Sequence, residues 1–280
     1  MPDGGSSGWD MEMNDAAFER LTDMMRGTYG IDLRRKRTLV EGRLGRLLDE
    51  RGFADLDDYL QAVVSDGSGQ ELIGLLNRLT TNHTYFMREP EHFRHFAQQV
   101  LPRLASEVRD GDVRIWCAGC STGQEAYTLD RLKHEFFSPM PGTWDYRVLA
   151  TDISARALEV AREGCYDNEG LVDLPAAWRS KYLTDEGDGT SRFRQSVREG
   201  IIFRPFNLME DPFPFRKPFH VIFCRNVMIY FEPQTKQQLV RRFLANTCSG
   251  GYLYIGQTET IAREVAGYRY VMPAVFQKEV

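Results

Sequence analysis

The residues of this chain best suited to chemistry stand at the ends of apolar segments. Glu125 closes the run Ala118-Gly119-Cys120-Ser121-Thr122-Gly123-Gln124-Glu125. Small residues let that backbone turn sharply and let a ligand come close. An acid there would repel a phosphate but attract an amine or a sulfonium, so the loop favours a cationic cofactor such as S-adenosylmethionine over a bare nucleotide. Asp152 follows Thr151 at the end of another apolar run, where a carboxylate suits a pair of ribose hydroxyls. The plain alternative is a helix cap, a role open to Ser154 as well. Asn207, in Phe206-Asn207-Leu208, offers both a donor and an acceptor to an adenine edge. Arg225 and Asn226 interrupt the apolar stretch from Phe223 to Phe231, and a buried backbone-capping role for Asn226 stands beside a functional one.

The segment Thr80-Thr81-Asn82-His83-Thr84-Tyr85-Phe86-Met87-Arg88-Glu89 is rich in hydrogen-bonding side chains and has a single arginine. A surface ion pair of Arg88 with Glu89 or Glu91 is its ordinary reading. No second His or Cys stands at ligand spacing from His83, and Cys117 and Cys120 lack a zinc-spaced second pair, so no metal is expected.

Elements to position these residues are legible from periodicity. Asn14 as a cap precedes Phe18, Leu21, Met24 and Met25 at helical spacing. Leu39 to Leu48, Leu56 to Val63 and Leu72 to Leu79 mark three more helices, and Glu91 to Val108 a long connecting helix. From Val113 the pattern alternates, as in a parallel α/β sheet. Strands are expected at Val113–Cys117, Arg147–Thr151, His220–Cys224 and Tyr252–Gly256. Helices are expected at Gln124–Phe136, Ala155–Glu163 and Gln234–Asn246. Tyr268–Val271 and Ala274–Glu279 form a closing hairpin. Between Cys165 and Asn207 the alternation breaks around a hairpin turn near Glu186-Gly187-Asp188-Gly189. The expected division is a disordered tail over 1–13, a helical domain over 14–90, a connection over 91–112 and an α/β domain over 113–280 with an insert at about 166–204.

Composition sets the class. The chain has 280 residues, 42% hydrophobic and 27% charged, with net charge −5. These are the values of an ordinary globular protein, and an acidic balance disfavours wholesale binding to nucleic acid or anionic membranes. No apolar run reaches membrane-spanning length and the first residues lack signal-peptide character. An odd count of five cysteines fits a reducing cytoplasm. Against the acidic balance, Arg34, Arg35, Lys36, Arg37, Arg43, Arg46 and Arg51 form a basic stretch. Arg35, Leu39, Arg43 and Arg46 follow helical spacing, so one face would suit an acidic helical partner, if it is more than a solvated face.

Taken together, Leu79 to Glu89, Arg114 to Glu125, Ala150-Thr151-Asp152-Ile153 and Phe223 to Phe231 resemble the motifs of the chemotaxis receptor glutamate O-methyltransferase (CheR) family, in the same order over residues 14 to 280. The resemblance implies an S-adenosylmethionine-dependent, Rossmann-like α/β methyltransferase domain of seven strands, an N-terminal all-α domain and a small inserted β-subdomain. It implies cofactor contacts at Asn82, Thr84, Arg88, Glu125, Asp152, Asn207, Leu208, Arg225 and Asn226, an acceptor side lined by Arg88 and Tyr230, and receptor docking through the basic helix, here Arg35, Arg43 and Arg46. The implied reaction methylates glutamates of chemoreceptor helices and releases S-adenosylhomocysteine, in the cytoplasm and from a monomer. Gln124 and Ala126 stand where the pattern usually has Glu and Pro, and Gly256-Gln257-Thr258-Glu259 replaces a more usual Gly-His-Ser-Glu. The short hairpin near Glu186 argues against dependence on a receptor's C-terminal pentapeptide tether. Two other classes stay open at this point: a non-catalytic S-adenosylmethionine sensor that holds receptors, and an NAD-dependent dehydrogenase, which the lack of a full GxGxxG and the acid at 125 disfavour.

Overall fold

In the computed structural model, residues 13–79, 84–145, 147–261 and 267–280 are described. Of the expected disordered tail only Met13 is among them, and it is buried. No described helix is long and apolar enough to cross a membrane.

Packing divides the chain into Met1–Thr81 and Asn82–Val280. The first unit holds α1 (Asp15–Tyr29), α2 (Arg37–Arg51), α3 (Leu56–Ser65) and α4 (Gln70–Leu79). The Asn14 side chain accepts from the Ala16 amide at 2.9 Å and so caps α1. Gly52, at φ 75°, ends α2 in the left-handed conformation that a helix C-terminus favours. Leu21, Met25, Val40, Leu44, Leu48, Tyr59 and Leu75 are wholly withdrawn from solvent. These residues recur at helical spacing, so each helix turns one apolar stripe to the shared core.

The second unit begins earlier than the expected boundary near residue 90. Phe86, Phe93, Phe96, Val100 and Leu104 are buried in one apolar cluster with strand residues Ile115, Cys117 and Phe223, so this stretch belongs to the α/β core. The expected connecting helix is three segments, α5 (Pro90–His95), a π-helical turn Phe96–Val100 and α6 (Leu101–Glu107). Pro102 has no N–H to give, and the turn before it widens so that the Leu101 amide reaches the Phe96 carbonyl.

After these come β1 (Ile115–Ala118), α7 (Gln124–Phe137), β2 (Val148–Asp152), α8 (Ala155–Glu163), β3 (Cys165–Asp167), α9 (Ala176–Tyr182), β4 (Leu183–Asp185), β5 (Thr190–Phe193) and α10 (Gln195–Arg198). The chain closes with β6 (Ile201–Pro205), β7 (Phe219–Cys224), α11 (Pro233–Ala245), β8 (Thr247–Ile255), β9 (Tyr268–Met272) and β10 (Val275–Lys278). Seven strands form one sheet in the order β6-β2-β1-β7-β8-β10-β9, and β3-β5-β4 form a second, small sheet. The large sheet is parallel from β6 to β8, and β10 and β9 close its edge antiparallel. The expected α/β class with a helical N-terminal part is what the chain adopts. Two expectations change. β6 lies within the range assigned to the insert but pairs with β2, so the small sheet ends before it. β8 begins at Thr247, which lies opposite Phe219, and Gly250 and Gly251 fall in a shift of register before Tyr252 pairs with Val221.

Register brings the strand ends level. Ala118 lies opposite Thr151, Asp152 opposite Pro205, Cys117 opposite Phe223 and Cys224 opposite Ile255. Strand order reverses at β1, where α/β sheets open a crevice for ligands beyond the carboxyl ends. Under the sheet, Trp116 donates to Thr151 Oγ1 at 2.9 Å and packs edge-on against Phe213, Phe215 and Phe243. That cluster holds the ends of β1 and β2 together.

Candidate functional site

The loop after β1 is tied to the end of β2. The Gly119 and Cys120 amides donate to the Thr151 carbonyl at 2.8 and 2.9 Å, and the Ser121 amide donates to Asp152 Oδ2 at 2.7 Å. Gly119 has φ 86°, and a Cβ there would fall 2.3 Å from Val227 Cγ2. Only glycine lets the β1 and β7 loops approach so closely. Asp152 Oδ1 accepts from the Ser154 amide at 2.8 Å, and Ser154 Oγ caps α8 through Ala157 N at 3.1 Å. The helix cap is thus Ser154, and Asp152 joins two loops. Burial raises the Asp152 carboxyl above its usual range, against the backbone amides that lower it.

Glu125 lies in the first turn of α7, where the helix N-terminus favours an acid. Its Oε2 is 2.7 Å from Arg225 Nη1, and its Oε1 accepts from the Cys117 thiol at 3.2 Å. Burial first, and then the Glu125 charge, push the Cys117 thiol well up, which keeps it a donor.

Arg225 is buried, with 1% of its side chain exposed. Besides Glu125 it reaches Glu89 Oε2 at 3.1 Å and donates to the Arg88 carbonyl oxygen. Asn226 sits at φ 59°, a conformation Asn tolerates. Its amide donates to Glu259 Oε2 at 2.9 Å and its side chain to Glu89 Oε1 at 3.4 Å. Glu259 also accepts from the amides of Gly256 at 2.6 Å and Ile229 at 3.1 Å. A Cβ on Gly256 would meet Asn226 Nδ2 at 2.5 Å, so glycine there makes room for this carboxylate clamp.

The structure therefore brings Glu125, Asp152, Arg225, Asn226 and the Arg88 backbone to one edge of the sheet. Asn207 follows β6, with Oδ1 accepting from Met209 N at 3.0 Å, and the neighbouring Phe206 amide donates to the Asp152 carbonyl at 3.1 Å. Leu208 is buried in the apolar cluster under the sheet. Thr84 is half-buried at the start of the described segment, and Asn82 and His83 lie outside the described residues. The Arg88 guanidinium lies 5.7 Å from the Tyr85 ring centre. Tyr230 ends the 3-10 turn Met228–Tyr230 just beyond the Val227 contact with the loop and is half-buried. Glu91 pairs with Arg94, while Glu89 faces Arg225.

Sequence reasoning missed Glu89 and Glu259. Both lie in motifs already singled out, and an acid following an arginine-bearing or glycine-bearing turn was the available signal. Among the described residues no group of three or more His, Cys, Asp or Glu converges as if for a metal. The donor set fits an adenosyl cofactor with a cationic end: half-buried carboxylates at two places, backbone amides between them, and an amide side chain beyond.

In the helical unit the basic row is not one face. Arg35 is exposed but precedes α2. Arg43 donates to the Leu79 carbonyl at 2.8 Å and the Arg78 carbonyl at 3.4 Å, so it serves the C-terminal end of α4. Arg46 is exposed on α2. Arg34 pairs with Asp32, Arg37 with Asp15 and Glu41, and Arg51 with Glu71.

Residues 82–275 match the family described as CheR methyltransferase, SAM binding domain, and residues 16–80 match CheR methyltransferase, all-alpha domain. The chain is 36% identical over 265 residues to a chemotaxis protein methyltransferase of Borreliella burgdorferi, covering 93% of each. It is 35% identical to the chemotaxis protein methyltransferase of Escherichia coli, over 90% of this chain and 87% of that one. A probable chemotaxis protein methyltransferase of Rhizobium etli is 35% identical, over 87% of this chain and 95% of that one.

Proposed function

Because the chain belongs to the CheR methyltransferase family, with its S-adenosylmethionine-binding domain, we propose that it methylates glutamate side chains of chemotaxis receptors. The cofactor supplies an electrophilic methyl group on a sulfonium. A receptor carboxylate oxygen takes that methyl, the S–CH3 electron pair stays on sulfur, and the products are a glutamate methyl ester and S-adenosylhomocysteine.

One observation carries this reading. The Arg225 guanidinium bonds both Glu125, on the cofactor loop, and the backbone carbonyl of Arg88, on the acceptor side. A single buried group thus ties the two halves of a transfer site together. Bound there, the cofactor would have its amine or sulfonium end at Glu125, its ribose at Asp152 and its adenine at Asn207. Arg88 positions the incoming carboxylate, and Tyr230 orients it through its hydroxyl. A glutamate with a reference pKa of about 4.3 arrives already ionised, so no general base is needed. Alignment and removal of water from the carboxylate are the work left to the protein.

The receptor helices are reached in the cytoplasm through the helical unit, with Arg46 and Arg35 as the attracting charges. Docking does not require a receptor C-terminal pentapeptide. The small sheet carries a cleft of about 410 Å³ lined by Leu171, Arg179, Ser180, Leu183, Asp185 and Ser191. A pull-down in which such a pentapeptide is retained at micromolar affinity, and released by Arg179→Ala, would refute this clause. The main test is to incubate the protein with methyl-labelled S-adenosylmethionine and receptor-bearing membranes from its own cell. Base-labile label released as methanol is expected. Cofactor binding without any transfer would identify a non-catalytic sensor instead.

A further inference from the structure

Glu89 bonds side chains and an amide from the loops after β7 and β8. Its Oε2 lies 3.1 Å from Arg225 Nη2, and its Oε1 accepts from Asn226 Nδ2 at 3.4 Å and from the Gln257 amide at 3.3 Å. Its backbone is at φ 56°, an uncommon conformation for a residue with a side chain. Strain of this kind persists where the surroundings over-determine the residue, and here three contacts do so. Glu89 therefore ties the segment carrying Arg88 to the ends of β7 and β8.

The charge count at this place is unusual. The Arg225 guanidinium is shared by two carboxylates, Glu89 and Glu125, on its two terminal nitrogens. Its remaining face is 5.1 Å from the Phe93 ring centre, which adds no formal charge. His92 Nδ1 is 3.3 Å from Glu89 Oε2, but burial and the Arg225 charge hold that ring toward its neutral form. Glu259 is spent on backbone amides. Two carboxylates against one guanidinium leave the group with a net negative charge. Were Arg225 paired with Glu125 alone, the two would cancel, and the acid expected to face a cationic ligand would present no net charge to it.

We infer that Glu89 is a positioning residue of the transfer site: by taking a share of Arg225 it leaves Glu125 negative toward the sulfonium end of the cofactor, and it anchors the Arg88 segment over that end. The inference rests on the placement of the cofactor's cationic end at Glu125. Glu125→Gln, which should weaken S-adenosylmethionine more than S-adenosylhomocysteine, checks that placement separately.

The test compares S-adenosylmethionine, which carries the sulfonium charge, with S-adenosylhomocysteine, which lacks it. Calorimetry on the full chain would measure both affinities for the wild type, Glu89→Gln and Glu89→Asp. Glu89→Gln keeps size and hydrogen bonding and removes the charge. It should weaken S-adenosylmethionine roughly tenfold, the scale of losing one nearby charge from a partly desolvated site, and S-adenosylhomocysteine less than threefold. A purely structural role would weaken both alike, so a parallel loss, or no loss, overturns the inference. Glu89→Asp keeps the charge and should keep the wild-type ratio of the two affinities. If Glu89→Gln does not fold, that ratio decides: an Asp variant that binds but has lost the preference overturns the proposal.

Discussion

The two ends of the parallel strands both bury ionisable side chains, and they treat them in opposite ways. At the amino ends, Lys133 is fully buried on α7 and donates to the carbonyls of Val113 at 2.8 Å and Arg147 at 3.1 Å. Burial pulls its pKa down to about 7. His220 Nδ1 accepts from the Arg114 amide at 3.0 Å, and its pKa is down at about 4, by burial first and then by the Arg114 charge. Here backbone groups are the partners, and the fold pushes side chains toward neutrality. At the carboxyl ends, charge meets charge: Glu125, Arg225 and Glu89 bond one another, and carboxylates outnumber the guanidinium. The same helix, α7, supplies Glu125 to one end and Lys133 to the other. Lys133 and His220 are held toward neutrality by backbone partners, whereas Glu125, Arg225 and Glu89 are held as a charged cluster.

Substitutions at the two ends should give different readouts. The largest effect is expected for Arg88→Ala, which should lower methyl transfer about 100-fold while cofactor affinity stays near wild type, because misplacing an acceptor by about 1 Å costs that much. Tyr230→Phe should act in the same direction and less. Initial rates set beside calorimetry check both, and equal losses in rate and binding would move Arg88 to the cofactor side. Next is Asp152→Ala, expected to cost about 2 kcal/mol of cofactor binding, near 30-fold, since it removes a charged acceptor and leaves two loop amides unpaired.

At the amino ends the expected readout is stability, not binding. Free His220 titrates near 6.5 and the folded residue near 4. Between those values the unfolded chain binds more protons, so the stability His220 contributes is present above about 6.5 and is lost as pH falls toward 4. His220→Asn offers an oxygen to the Arg114 amide at any pH. Its melting temperature should therefore fall less than the wild type's between pH 7 and pH 5, by a few degrees. Altered cofactor affinity in this variant would break the separation of the two ends. The smallest effect belongs to the surface: Arg46→Glu should raise the receptor KM several-fold at low salt, and less at physiological strength, where the Debye length is about 8 Å. Arg43 is a poorer test, because reversing it also removes the partner of the α4 carbonyls.

What could be read from the chain alone was whatever is decided locally. α8 was placed at its observed bounds, and α7 at its observed start, because caps and first turns are set by neighbours in sequence. Alternation announced the parallel sheet, and four ordered motifs announced the family. Local signals did not separate β6 from the insert, since only pairing with β2 assigns it. They also made Arg43 look like part of a docking face, because helical spacing is the same whether a side chain meets solvent or another helix end. The roles of Glu89 and Glu259 were hidden for the same reason. Glu89 meets Arg225 across 136 residues, and Glu259 clamps the Asn226 amide from 33 residues away. Residue types told which groups could carry charge. Only the level register of the strand ends decided which charges would share a partner: two carboxylates, from Glu89 and Glu125, on the one Arg225 guanidinium.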